Sequence, residues 1–143
     1  MIDNINKSWG WREFQAKEII NVNEFGNIIF KTDSEEYWRV CPEELHCELI
    51  ACNKTDFESL FNDPEYKADW EMVELVKLAR NTLGELDEGQ KYCLKMPAAI
   101  GGLYEKKNLG KISFSELISF SGDMAFQIKD LKDGDRIKLT IKD

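Results

Sequence analysis

The chain has 143 residues, of which 27 are acidic and 19 basic, for a net charge of −8. That length suits one domain with a core large enough to need no staple, and the charge argues against a protein that binds nucleic acid directly by neutralising phosphates. No apolar run reaches the roughly 18 residues of a membrane span, and MIDNINKSWGW lacks the basic flank and apolar stretch of a signal peptide. A soluble, cytoplasmic protein without membrane contact is expected, its four cysteines reduced.

In chain order, the first residues form a short helix through Ile5 and Trp9 that ends at Gly10. Strand signals follow at 18–22, 27–32, 36–40 and 45–51, joined by the turn-forming runs Asn23-Glu24-Phe25-Gly26 and Thr32-Asp33-Ser34-Glu35. This is a meander of antiparallel strands. Its alternation is imperfect, so the inner face of the sheet is only partly assigned.

CPEELHCELIAC, from Cys41 to Cys52, holds three of the four cysteines and the one histidine. Tetrahedral zinc needs convergent ligands, commonly from CxxC-type pairs at a turn, and these spacings differ. Strand alternation sends His46 and Cys47 to opposite faces, while His46 and Cys52 share a face but lie roughly 20 Å apart. The segment therefore reads as scaffold without metal, with core cysteines beside an exposed histidine. A Cys41/His46 dyad across the Pro42 turn is the alternative.

The period then becomes helical. Thr55-Asp56-Phe57-Glu58 reads as a capping box opening a helix to about Asn62. Asp63-Pro64 starts another, with Tyr66, Trp70, Val73, Val76, Ala79 and Leu83 as its apolar stripe and Gly84 as its stop. Residues 91–96 read as a strand closed by Pro97. A second capping box, Ser113-Phe114-Ser115-Glu116, opens a helix to Leu131, and Ile137, Leu139 and Ile141 alternate in a last strand. The fold class is α+β: a mainly antiparallel sheet with two to three packed helices, in a single domain spanning 1–143.

Two glycine-containing stretches invite a functional reading. Gly101-Gly102 follows a strand, but neither GxGxxG nor a P-loop is completed, so a tight turn covered by Tyr104 is expected. Gly122 interrupts a helix at a cost of about 1 kcal/mol relative to Ala. Close approach of another backbone explains it; a binding site at Asp123 and Gln127, four apart on one helical face, is the alternative. Trp9, Trp11 and Trp38 are the first candidates for the core.

From Asp33 to Glu88 there are 16 acidic and 5 basic residues, while the remainder carries 11 acidic and 14 basic. The middle of the chain is thus the acidic part. It serves either as a solvated face or as a negative patch for a basic partner.

The series Trp9-Gly10-Trp11, Asn23-Glu24-Phe25-Gly26-Asn27, Tyr37-Trp38, Pro97 to Tyr104 with Asn108, Gly122-Asp123, Gln127, and Leu131 to Gly134 resembles the C-terminal domain family of type VI secretion DNase immunity proteins. That domain can follow a GAD-like domain, which does not precede Trp9 here. The resemblance implies an immunity protein that is not an enzyme, has no catalytic residues and takes no cofactor. Its implied partner is a cognate bacterial toxin, expected to be a nuclease effector. Glu65, Asp69, Glu71 and Glu74, with Asp123 and Gln127, are the candidate partner-binding residues; Trp9, Gly10, Trp11, Gly26, Trp38, Gly101, Gly102 and Gly122 are candidate structural positions. A non-catalytic ligand-binding or protein-interaction module, its pocket formed by Gly101-Gly102 and Gly122-Asp123, is the rival reading.

Overall fold

The structure is a computed structural model that describes residues 1–130. Helix α1 (Ile2–Trp9) leads through a 3-10 turn into four strands: β1 (Ala16–Val22), β2 (Ile28–Thr32), β3 (Tyr37–Cys41) and β4 (His46–Ala51). They form an antiparallel sheet in the order β1-β2-β3-β4. Helices α2 (Lys54–Phe61), α3 (Pro64–Glu71) and α4 (Val73–Leu83) follow. A two-stranded sheet of β5 (Gln90–Leu94) and β6 (Leu109–Ser113) then leads into α5 (Phe114–Ile128). The α+β class is the one the sequence indicates; the alternating run at Ile137, Leu139 and Ile141 lies outside the described residues.

Central strand β2 explains the imperfect alternation, because Ile28, Ile29 and Phe30 are all fully buried. Ile28 and Phe30 join Val40 and Cys47 in a core closed by Ile5 and Trp9 of α1 and by Ile118, Met124 and Ala125 of α5. Ile29 pairs with Arg39, and Arg39 meets Tyr66 and Trp70 of α3 on the opposite face. A sheet covered on both faces has no polar side to betray its period. A second cluster gathers Phe25, Tyr92, Leu94 and Leu109 with Val76 and Ala79 of α4.

Several local expectations are corrected. The continuous helix from Asp63 to Gly84 divides at Met72, which takes a left-handed conformation with φ 49°. Asp63 does cap α3, accepting from the Glu65 amide, with Pro64 in the first turn. The cap of α2 is Asn53, two residues before the expected Thr55, and its side chain accepts from the Asp56 amide at 2.9 Å. Residues 109–113 form a strand that the sequence reading missed, because Gly110 and Lys111 break its apolar pattern. Cys47 is buried but Cys52 is exposed and Cys41 half-buried, so the cysteines are not uniformly core. Of the tryptophans, Trp9 and Trp70 are buried, whereas Trp11 and Trp38 pack half-buried against the core.

The glycine inside α5 has the packing cause expected of it. A Cβ on Gly122 would stand 2.3 Å from the Ser8 carbonyl oxygen of α1. The same crossing is stitched by Asn4, which donates to the Ser115 carbonyl at 3.0 Å and accepts from Ser119 at 3.1 Å. Replacing Gly122 by Ala must push the helices apart, so a loss of about 2 kcal/mol is expected, in the usual range for overpacking. Urea unfolding of the variant measures it; an unchanged midpoint would refute the close approach.

Candidate partner-binding site

The site is built on a buried polar network beneath α3. In the turn from Asn23 to Asn27, the Asn23 side-chain oxygen accepts from the amides of Phe25 and Asn27, each at 3.0 Å. Its side-chain nitrogen donates to the Trp70 carbonyl at 2.9 Å, which fixes the turn against the end of α3. Gly26 completes the turn with φ 71°; the left-handed geometry favours glycine there.

Asn27 then carries the connection inward. It donates to both carboxylate oxygens of Glu43, at 3.0 and 2.9 Å, and accepts from Arg39 Nε and Nη2 at 3.2 and 3.0 Å. Arg39 Nη1 reaches Asp69 Oδ2 at 2.9 Å and the Tyr66 hydroxyl at 3.3 Å. The guanidinium also lies 5.0 Å from the Trp70 ring centroid, within range of a cation–π attraction. Arg39 and Glu43 are each only 4% exposed. Burying both charges is tolerable because nearly every polar edge is paired.

Burial pushes the Glu43 carboxyl up to about 7, against the opposing pull of the Asn27 hydrogen bonds and the Arg39 charge. Cys41 lies on the same face of β3 as Arg39, and burial pushes its thiol up to about 12. Cys41 and His46 do face each other across the β3–β4 ladder. A nucleophile requires the opposite shift, so this pair is no activated dyad. Among the described residues no group of three or more His, Cys, Asp or Glu is placed to hold a metal ion.

The six candidate partner-binding residues fall in two places. Glu65, Asp69 and Glu71 are exposed on α3 and Glu74 is exposed in the first turn of α4. Asp69 is not simply a surface charge, since Arg39 holds it from below. Asp69 and Glu74 flank an open notch of about 460 Å³ at the α3–α4 junction, with Ala68, Met72, Val73 and Leu75 as its apolar lining and Tyr104 as a wall. The Tyr104 hydroxyl donates to Glu44. The sequence reading missed Val73 and Tyr104 as site residues, and Leu103 beside Tyr104 as an exposed apolar side chain. Val73, Leu103 and Tyr104 are 58%, 62% and 46% exposed, and only the unexpected break at Met72 turns Val73 outward.

Asp123 and Gln127 lie elsewhere, joined by a hydrogen bond of 3.1 Å on α5. Asp123 borders a broader groove of about 970 Å³ between α1 and α5, with Lys7, Trp11, Glu116 and Phe126 among its walls. Its charges are of both signs, whereas the charged residues lining the α3–α4 notch, Asp69 and Glu74, are both acidic. Gly101 and Gly102 do not line it. Gly102 instead packs where a Cβ would meet the Met96 carbonyl oxygen at 1.7 Å, so the composite glycine pocket does not form.

A profile of the family described as T6SS immunity protein Tdi1, C-terminal, matches residues 51–125. The chain belongs to this family of type VI secretion immunity proteins. The match takes in α2, α3, α4, the loop bearing Tyr104 and most of α5. The fold is similar to the crystal structure of Atu4351 from Agrobacterium tumefaciens, with a TM-score of 0.51 at 14% identity over 84% of this chain. At that identity the similarity concerns fold alone, and this chain spans 61% of the length of that protein. No curated protein matches the sequence.

The raised Glu43 carboxyl has a consequence with a definite sign. The folded state holds this proton more tightly than the unfolded chain, so its contribution favours folding below the ordinary value of 4.5 and is lost as pH rises through about 7. Glu43→Gln should flatten that part of the fall in stability. Urea unfolding of both proteins across this range checks it, and parallel pH profiles would count against the buried acid.

Proposed function

We propose that the protein binds and neutralises a cognate toxin, a nuclease, by laying the acidic α3–α4 face over the toxin's substrate cleft. The observation that carries this reading is that the family match, residues 51–125, contains the whole of α3 and α4 together with Tyr104. A nuclease cleft is positive because its substrate is a polyanion. An acidic protein is steered onto such a surface and occludes it without doing chemistry of its own. The protein acts in the cytoplasm of the cell that makes the toxin, as a binder and not as an enzyme.

Exposed charges steer association; the desolvated centre of an interface sets how long it lasts. Glu65 and Glu71 fit the first role, because both are exposed and have no ion-pair partner among the described residues. Asp69 belongs partly to the fold through Arg39.

Titration of the purified protein into the toxin encoded in the same locus, following nuclease activity together with heat of binding, tests the reading. Tight binding with loss of activity is expected; absence of binding would sink it. Reversing Glu65 and Glu71 to Lys should slow association by about tenfold at low salt and weaken its salt dependence. The unfolding midpoint should barely move. Unchanged association would remove the steering role from this face.

A further inference from the structure

The notch at the α3–α4 junction has features that a merely solvated acidic surface does not require. Its lining is apolar: Ala68, Met72, Val73 and Leu75. Val73 and Tyr104 remain 58% and 46% exposed, and Leu103, one residue before Tyr104, is 62% exposed. A carboxylate stands on each flank, Asp69 at the end of α3 and Glu74 at the start of α4.

Both sides of the notch are fixed before any partner arrives. Arg39 engages Asp69 through Oδ2 at 2.9 Å and is itself clamped by Asn27. Tyr104 is tied through its hydroxyl to Glu44. The Glu74 carboxylate has no partner among the described residues, and neither does Asp69 Oδ1. An acceptor held in place, Asp69, beside an apolar lining and a tethered aromatic ring reduces the ordering cost of binding, and Glu74 is left free to close on the ligand.

We propose that this notch receives an arginine side chain presented by the toxin, and that this contact is the central anchor of the interface. The inference rests on the immunity reading above and adds the chemistry of the contact. An arginine satisfies all three surfaces at once. Its methylene stem lies on Val73, Met72 and Leu75, its guanidinium plane faces Tyr104, and its N–H groups donate to Asp69 and Glu74. A lysine has one compact ammonium in place of a planar fork and does not bridge two separated carboxylates while lying against a ring. The existing Arg39–Asp69 pair does not fill the notch, because Arg39 approaches from the sheet side and is 4% exposed.

The test is a set of double-mutant cycles in the complex of the full chain with the toxin encoded in the same locus. Glu74→Gln and Val73→Lys should each raise Kd about tenfold or more, in the usual range for central interface contacts. Glu58→Gln on α2 should change it less than about twofold, as is usual for peripheral charges. Each surface arginine of the toxin is then replaced by alanine against both the wild type and Glu74→Gln. One arginine should lose most of its effect in the Glu74→Gln background.

If wild-type protein binds but no toxin arginine couples to Glu74, or the coupled residue is a lysine, the notch assignment is overturned and the immunity reading stands. If the wild type does not bind the toxin, both fall together. Tyr104→Phe separates the ring from its tether: it keeps the aromatic wall while freeing it from Glu44, so the arginine coupling should survive at reduced affinity.

Discussion

A guanidinium placed under a helix organises this molecule. Arg39 stands on the central part of the main sheet, on the face away from the α1–α5 core, and its donors are shared between Asn27, Tyr66 and Asp69. A charge that is 4% exposed is costly without its partners in place, so Arg39 ties Asn27 to α3 directly, and the Pro42–Glu44 turn joins them through the Asn27–Glu43 bonds. The resulting layers follow in order: α1 and α5 cover one face of the sheet with apolar side chains, and α3 covers part of the other through a polar network. The smaller β5–β6 sheet is joined to the first by the Tyr92 amide, which donates to the Glu24 carbonyl at 2.9 Å.

The two faces differ in what they do for the protein. The α1–α5 side depends on close approach, with Gly122 against Ser8 and the asparagine stitching beside it. The α3 side exposes carboxylates and apolar side chains together, the combination on which the proposed interface draws for long-range attraction and a desolvating centre. An inhibitor needs both. Attraction brings it to its target before the target acts, and burial of apolar and aromatic groups slows release.

Much of the fold was legible in the sequence because its signals were local. The four-stranded meander follows from turn chemistry at Asn23–Gly26 and Thr32–Glu35, and the starts of α3 and α5 follow from Asp63-Pro64 and Ser113. The misses have physical causes. Met72 carries no breaker signature, so its left-handed backbone was invisible, and with it the outward turn of Val73. Arg39 and Glu43 look like ordinary surface charges in sequence. Nothing local announces that they meet through Asn27, and the acidic count therefore treated Asp69 as free when it is half committed to the interior. The apolar part of the candidate site escaped notice for the same reason: Val73 and Tyr104 are brought together only by the tertiary fold.

The Pro42–Glu44 turn carries two adjacent carboxylates with opposite duties. Glu43 points into the network with Arg39, and Glu44 points outward to hold Tyr104. One residue of offset separates an interior support from a surface one. The turn should therefore accept side-chain replacement at position 44 readily, yet tolerate no insertion or deletion, since a shift of one residue would exchange the two roles at once. Variation at this corner is then confined to substitutions on a backbone of fixed length, and the side chain that meets Tyr104 can change without changing how the chain folds.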